Sequence, residues 1–150
     1  SDRFKTVKKT DNDLAAILYT SGTTGRSKGA MLTHGNLGSN AKVLQKFWGW
    51  QQGDVLLHAL PIFHVHGLFV ASHGALLNGS KMIWLPRLDT KQLIKHMPRS
   101  TVMMGVPTFY VRLLLDSDFT KAVTKNMRLF ISGSAPLLTE TFNSFKEKTR

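Results

Sequence analysis

The sequence contains no cysteine, which excludes disulfide bonds and metal sites held by thiolates. The same absence leaves the cellular compartment undecided. No apolar run approaches the roughly 20 residues that a membrane-spanning helix needs, and the first residues, S-D-R-F-K, are not a signal peptide. An apolar fraction of 42% in 150 residues is enough to bury the core of one globular domain.

Acidic residues are also scarce: 9 Asp and Glu stand against 20 Lys and Arg, which gives a formal net charge of +11. Such a balance can indicate nucleic acid or a membrane surface as a partner. The positive charges are scattered, however, with small clusters at residues 5–9 and 146–150 and no stripe interleaved with aromatic residues. We therefore expect neither nucleic acid nor a membrane as a partner, and the sequence carries no signal for an oligomeric state.

Apolar runs of strand length alternate with helical stretches along the chain. The runs occupy residues 14–20, 55–60, 81–85, 101–106 and 128–132. Helices are predicted over residues 33–48, 65–77, 90–97, 107–115 and 139–148, with Thr33 and Asp89 as N-caps. Because the runs are apolar on both faces, they are typical of parallel strands covered on both sides. The alternation predicts an α/β fold with a doubly wound, mostly parallel sheet and helices on both faces.

A glycine- and hydroxyl-rich segment, Y-T-S-G-T-T-G-R-S-K-G, occupies residues 19–29. Small residues let successive backbone N–H groups turn towards a phosphate, and Lys28 adds a mobile positive charge. The segment differs from the common nucleotide-binding P-loop, because Ser27 stands where that pattern needs glycine and Gly29 where it needs a hydroxyl. The pattern predicts a phosphate loop of another kind, between the first strand and a helix.

The polar segments fall where the predicted strands end. The phosphate loop follows the first strand, and residues 61–64, 107–109 and 133–136 follow the second, fourth and fifth. Ligands of doubly wound sheets bind outside the carboxyl ends of the strands. The sequence therefore predicts one crevice lined by four strand ends.

Three residue types at this crevice allow more than one interpretation. His64 and His66, with His58 and His73 nearby, fit either a metal site or packed, hydrogen-bonded histidines, although no carboxylate lies close in sequence. Arg112 is either a solvated arginine on a helix or a ligand for a carboxylate, which its planar guanidinium suits. The segment around residue 134 is no hydrolase elbow, since G-x-S-x-G is absent there.

The phosphate loop resembles the signature of the adenylate-forming superfamily, which includes acyl-CoA synthetases, luciferases and peptide-synthetase adenylation domains. The usual form is [ST]-S-G-T-T-G-x-P-K-G, and Ser27 in place of proline is the one departure. The F-H-x-x-G segment at 63–67 and the G-S-A-P segment at 133–136 are also similar to the superfamily. P-T-x-Y-x-R at 107–112 and S-G-S-A at 132–135 most resemble malonyl-CoA synthetases, and the likeness extends over residues 11–150.

This resemblance implies ATP, Mg²⁺ and coenzyme A as cofactor and co-substrates and malonate or methylmalonate as the acid. It places His64 at the reacting carboxylate as the catalytic residue, and Arg112 and Ser134 on the distal carboxylate. It implies that Gly133, Ala135 and Pro136 border the adenine and the acyl group, with no metal ligand among these residues. It assigns the β- and γ-phosphates to Thr20, Ser21, Gly22, Thr23, Thr24, Gly25 and Lys28.

The resemblance also implies that the chain is only a part of its parent. We expect residues 1–150 to form a single partial AMP-binding domain within the large N-terminal domain, with residues 1–10 as a linker or tail. The Y-G-x-T-E segment with its magnesium-binding glutamate and the mobile C-terminal domain are missing, so we expect the piece alone to be inactive. Another carboxylate, or phosphate binding without catalysis, stays open. We expect a cytoplasmic location, or a mitochondrial one in a eukaryote.

Overall fold

The computed structural model of the chain describes residues 4–20 and 27–150. The strands in these ranges are β1 Leu14–Thr20, β2 Lys28–Thr33, β3 Val55–His58, β4 Lys81–Trp84, β5 Val102–Gly105 and β6 Leu129–Ser132. The α-helices are α1 His34–Phe47, α2 His73–Leu77, α3 Thr90–His96, α4 Pro107–Leu114, α5 Lys121–Thr124 and α6 Thr139–Thr149. A π-helical segment, His66–Ser72, runs directly into α2, and a 3₁₀ turn, Met97–Arg99, follows α3. No helix in the described ranges is long and apolar enough to span a membrane.

Four of the strands form a parallel sheet in the order β4-β3-β5-β6. All four residues of β5 are buried, as a central parallel strand with both faces covered requires. Leu56, Leu57 and Met103 of the two middle strands are fully inaccessible to solvent and form the centre of the core. The chain leaves β3 towards one side of the sheet and β5 towards the other, so the topological switch point lies between these two strands.

Helices cover the sheet on both faces, as right-handed crossovers require when the chain moves in opposite directions from the switch point. The π-helical segment and α2 pack with α1, whereas α4 packs with α3 and α6. The predicted α/β class, with a doubly wound and mostly parallel sheet, is confirmed.

The placement of the first strand differs from the prediction. β1 has the predicted bounds, but it pairs antiparallel with β2 in a separate two-stranded sheet, with Tyr19 opposite Gly29. The predicted phosphate loop therefore joins two antiparallel strands, and the expectation that a helix follows it directly is wrong. The side chains of residues 15–19 alternate between exposed and half-buried, the pattern of a strand covered on one face. The apolar residues on its exposed face concealed this pattern in the sequence.

The two predicted N-caps are present. The Thr33 side chain accepts a hydrogen bond from the N–H of Asn36, and the Asn36 side chain accepts one from the N–H of Thr33. Together these bonds satisfy two donors that the start of α1 would otherwise leave without a partner. Asp89 accepts a bond from the N–H of Gln92 and begins α3 in the same manner. The short helix α5 and the strand β2 were not predicted.

A buried carboxylate ties together the amino ends of three parallel strands. Asp54, directly before β3, accepts two hydrogen bonds from Arg128, directly before β6, at 2.5 and 3.2 Å. It also accepts bonds from the hydroxyl of Thr101, before β5, and from the N–H of Gln51. The Thr101 hydroxyl in turn accepts a bond from the N–H of Val55. Burial would raise the pKa of Asp54, but these hydrogen bonds, that from Arg128 foremost, outweigh burial and lower it.

We expect Asp54→Asn to lower the free energy of unfolding by about 2–3 kcal/mol, because it removes charge-assisted hydrogen bonds and leaves the Arg128 guanidinium without its counter-ion. A carboxyl group with a lowered pKa stabilises the fold above its unfolded value of about 4, and this contribution is lost as the pH falls through the lower folded value. Urea denaturation at neutral and acidic pH measures both effects, and the variant should lose that part of the acid dependence.

The matched control is Asp118→Asn, which removes an exposed carboxylate paired with Lys91 at the surface. An exposed pair contributes at most about 1 kcal/mol. If both variants lose the same stability, the ion pair of Asp54 does not hold the strands together.

Candidate functional site

The segment that follows β3 forms a tight turn held by its own backbone. The N–H of His64 donates to the carbonyl of Pro61 at 3.3 Å, and the carbonyl of His64 accepts from the N–H of Leu68 at 3.0 Å. The N–H of His66 donates to Nδ1 of His64 at 3.1 Å. This turn therefore starts the π-helical segment and fixes the ring of His64 at its N-terminus.

The ring of His66 connects this turn to the loop after β6. Its Nδ1 lies 3.0 Å from Oγ of Ser134, and the imidazole is buried whereas Ser134 is exposed. Ser134 has a φ of +66°, a left-handed conformation that is uncommon for residues with a side chain. The sequence predicted both residues for the crevice, but nothing in it indicated that one would bind the other.

Gly133 lets the two loops approach each other. A Cβ atom at this position would lie 3.0 Å from Cε1 of His66, closer than ordinary van der Waals contact. The N–H of Gly133 donates to the carbonyl of Gly105 at 3.1 Å, which ties the loop to the end of β5. The ends of β3, β5 and β6 thus meet through His66, Gly105 and Gly133, so three of the four predicted strand ends do converge.

A second histidine, the buried His58 at the end of β3, contacts the same turn. Its Nε2 lies 3.0 Å from the carbonyl oxygen of Gly67 and 3.2 Å from Oγ of Ser72. The His58 ring stacks on the ring of Trp84, with 4.3 Å between the two ring centroids. Burial lowers the pKa of His58. Burial, together with the neighbouring rings of His64 and His58, also lowers the pKa of His66. Both buried rings are therefore neutral at physiological pH, and they act as packed, hydrogen-bonding groups.

The described residues offer no metal centre at this turn. No group of three His, Cys, Asp or Glu among them is arranged to hold a metal ion. Of the two interpretations that the sequence left open for the histidine pair, the contacts of His66 and His58 favour packed, hydrogen-bonded rings.

The helix that carries Arg112, α4, begins shortly after the end of β5. Arg112 is exposed on α4, beside a surface groove that is also lined by Leu88 and Asp89 at the start of α3. No hydrogen bond between Arg112 and Ser134 occurs in the described part of the chain, so the structure does not join this predicted pair directly. Tyr110, two residues earlier, is buried, and its hydroxyl donates to the carbonyl of Ile131 in β6. This contact fixes the helix that carries Arg112 to the strand that leads to Ser134.

The predicted phosphate ligands are described only in part. Ser21, Gly22, Thr23, Thr24 and Gly25 lie outside the described residues. Lys28 is exposed at the start of β2, where its backbone is opposite Thr20 in the antiparallel pair. Ala135 and Pro136, which the resemblance places at the acyl pocket, are exposed beside Ser134.

The sequence did not predict the supporting role of Tyr110, and it offered His58 only as a neighbour of the histidine pair. Both residues lie within apolar strand or helix patterns that are typical of a protein core. Their hydrogen-bond partners are therefore known only from the three-dimensional structure. The Gly67 of the F-H-x-x-G segment was a usable signal, because a glycine in an apolar helical run often marks a close backbone approach.

We expect Gly67→Ala to disrupt the histidine turn. The added methyl group would overlap the carbonyl oxygen of Pro61 and lie 2.9 Å from its carbonyl carbon. Overpacking of this kind costs about 1–3 kcal/mol, and here it must move backbone. Thermal unfolding measures the loss. Gly38→Ala in α1 is the control, since nothing lies within 4 Å of its Cβ position and alanine favours a helix. If the two variants are equally stable, the backbone around Pro61 can move to accommodate the added methyl group without a loss of stability.

Comparisons with known proteins agree with this architecture. A sequence model of the family described as AMP-binding enzyme matches residues 2–150. The mitochondrial malonate–CoA ligase of Mus musculus is 40% identical over 90% of the chain, and the malonate–CoA ligase of Arabidopsis thaliana is 35% identical over 91%. The chain spans 26% of the length of each of these relatives.

Solved structures show the same fold. The crystal structure of apo MatB from Rhodopseudomonas palustris matches with a TM-score of 0.95 and 56% identity over 99% of the chain and 30% of MatB. A malonyl-CoA ligase in a ternary product complex with methylmalonyl-CoA and AMP matches with a TM-score of 0.86 and 34% identity, covering 93% of the chain and 31% of that protein. From the family match, the relatives and the shared fold, we conclude that the chain belongs to the AMP-binding enzyme family.

Proposed function

We propose that the chain is part of an AMP-forming acid–thiol ligase that activates malonate or methylmalonate and transfers it to coenzyme A. The observation that carries this proposal is the His66–Ser134 contact, which fixes a polar hydroxyl at the meeting point of three strand ends. The similarity to malonate–CoA ligases and to a structure with methylmalonyl-CoA and AMP bound supports the choice of acid. Since the chain spans about a quarter of those relatives, the activity belongs to the longer protein.

The proposed reaction has two steps at one carboxyl group. A carboxylate oxygen attacks the α-phosphate of ATP and gives the acyl-adenylate and pyrophosphate. The sulfur of coenzyme A then attacks the acyl carbon and releases AMP. In the first step the protein mainly positions reactants and neutralises charge that develops on phosphate, which is the proposed task of Lys28 and of residues 20–25 in the loop.

Mg²⁺ is part of the proposal only as the companion of ATP. The described residues provide no group of three ligands for a metal ion. The proposal therefore assigns the protein ligands of Mg²⁺ to residues outside the described ranges.

Selection of a dicarboxylate is assigned to Ser134 and Arg112. The Ser134 hydroxyl is exposed and held by a neutral, buried imidazole, so it is available to a ligand while its position is restrained. The exposed guanidinium of Arg112 supplies the positive charge and two parallel donors that a carboxylate binds best. Since Tyr110 ties α4 to β6, the distance between these two groups is set by the fold rather than by a flexible loop.

A panel of acids tests the proposed function in the full-length ligase that contains this chain. We expect ATP–pyrophosphate exchange with malonate and methylmalonate, and little with acetate or amino acids, because the monocarboxylates leave Arg112 without a partner. The 150-residue chain alone serves as the control and should form no thioester. Exchange that prefers acetate or an amino acid would contradict the proposed substrate class.

Arg112→Met should raise the KM for malonate far more than the KM for ATP, because it removes the charge that binds the distal carboxylate but preserves much of the side-chain volume. Loss of a charge-assisted bidentate contact of about 1.5–3 kcal/mol corresponds to roughly 10–150-fold in KM. Steady-state kinetics with each substrate varied in turn measures both constants. Arg112→Lys retains the charge but not the planar guanidinium, so its KM for malonate should lie between those of the wild type and Arg112→Met. If Arg112→Met changes the KM values for malonate and ATP equally, Arg112 does not bind the distal carboxylate.

A further inference from the structure

The carbonyl group of Gly67 accepts hydrogen bonds from two buried side chains. The hydroxyl of Ser72 donates to it at 2.9 Å, and Nε2 of His58 lies 3.0 Å from it and 3.2 Å from Oγ of Ser72. Only 1% of the surface of His58 is exposed. Because a carbonyl oxygen can only accept, Nε2 carries the proton of the neutral His58 ring and donates it to this small cluster.

The cluster lies where the helical register is unusual. His66–Ser72 is π-helical, so a carbonyl accepts from a residue five positions further on, and Ser72 is that partner for Gly67. The segment continues directly into the α-helix His73–Leu77. A π turn holds one residue more than an α turn, and a return to the α register would rotate the preceding residues by about 100°. Since both side chains bind the Gly67 carbonyl in this arrangement, they stabilise the π register.

The register determines where the ring of His66 lies, because His66 directly precedes Gly67. Its Nδ1 lies 3.0 Å from Oγ of Ser134, and a Cβ atom on Gly133 would lie 3.0 Å from its Cε1. A ring packed this closely leaves no room for a rotation of about 100° without loss of the contact to Ser134. A chain of contacts therefore runs from the buried His58 through Gly67 and His66 to the exposed hydroxyl of Ser134.

We propose that His58 is a positioning residue for Ser134: its Nε2–H holds the π register, which places the ring of His66 and, through that ring, the Ser134 hydroxyl. His58 is buried and stacked on Trp84, so it acts without touching the substrate. This inference rests on the proposed ligase function, in which Ser134 helps to select the acid. None of the proposed phosphate ligands belongs to this chain of contacts, so loss of the His58 donor should affect binding of the acid and spare ATP.

Two substitutions at residue 58 separate the donor from the packing of the ring. His58→Phe keeps a planar ring against Trp84 but removes the N–H, whereas His58→Gln keeps an amide N–H near the position of Nε2 and loses the stacking. In the full-length ligase we expect His58→Phe to raise the KM for malonate about 3–10-fold, the scale of one neutral hydrogen bond, with the KM for ATP within about 2-fold. His58→Gln should return the KM for malonate to near the wild-type value, and the control His96→Gln on α3 should change neither constant.

A double-mutant cycle shows whether the effect of His58 passes through the hydroxyl of Ser134. In a ligase that already carries Ser134→Ala, His58→Phe should raise the KM for malonate no further, because the group that His58 positions is gone. Changes at independent sites instead add in free energy, so their fold-changes multiply. A multiplied effect would show that His58 acts only on the packing of the protein, and would overturn the proposal.

Hydrogen exchange of the full-length ligase without substrate measures the coupling separately from the reaction. Amides of residues 66–72 and 133–136 should exchange faster in His58→Phe than in the wild type or His58→Gln. Unchanged exchange at 133–136, or equal changes in the KM values for malonate and ATP, would overturn the positioning role. If the wild type has no activity with malonate but exchange changes as expected, the proposed function fails and the coupling stands. If His58→Phe does not fold, Ser72→Ala, which removes the other donor to Gly67, is judged by the same criteria.

Discussion

The parallel pairing of β3, β5 and β6 is the constraint on which the rest of the site depends. Hydrogen bonding in register places Leu57 beside Met103 and Gly105 beside Ser132, so the three carboxyl ends come within reach of one another. At the amino ends the carboxylate of Asp54 contacts groups that precede all three strands. A slip of one residue in a strand would turn its buried side chains to the opposite face and would also separate the loops that follow. Site geometry therefore follows from strand register before any ligand is bound.

At the carboxyl ends of the strands, hydrogen bonds from buried histidines hold the loops together, as the Asp54–Arg128 ion pair does at the amino ends. Two buried imidazoles hold the turn after β3: His58 contacts the carbonyl of Gly67, and His66 contacts Ser134. Burial lowers the pKa of both rings, which disfavours their charged forms. The positive φ of Ser134 costs about 1 kcal/mol or more for a residue with a side chain. The hydrogen bond to His66 offsets part of that cost and is a physical reason for a hydroxyl at this position.

The sequence was sufficient for the class of the fold and the bounds of most elements, because burial on both faces of β3, β5 and β6 leaves continuous apolar runs. It did not predict the antiparallel pairing of β1, whose run is equally apolar although one of its faces is exposed. It also did not predict β2, where Gly29 and Ala30 give no clear alternation of apolar and polar residues. Motifs brought His64, His66 and Ser134 to one crevice through strand order. Their mutual contacts depend on side-chain geometry over 68 positions of sequence separation, which no local pattern encodes. The supporting roles of His58 and Tyr110 could not be predicted for the same reason, because a buried polar atom shows its role only through its partner.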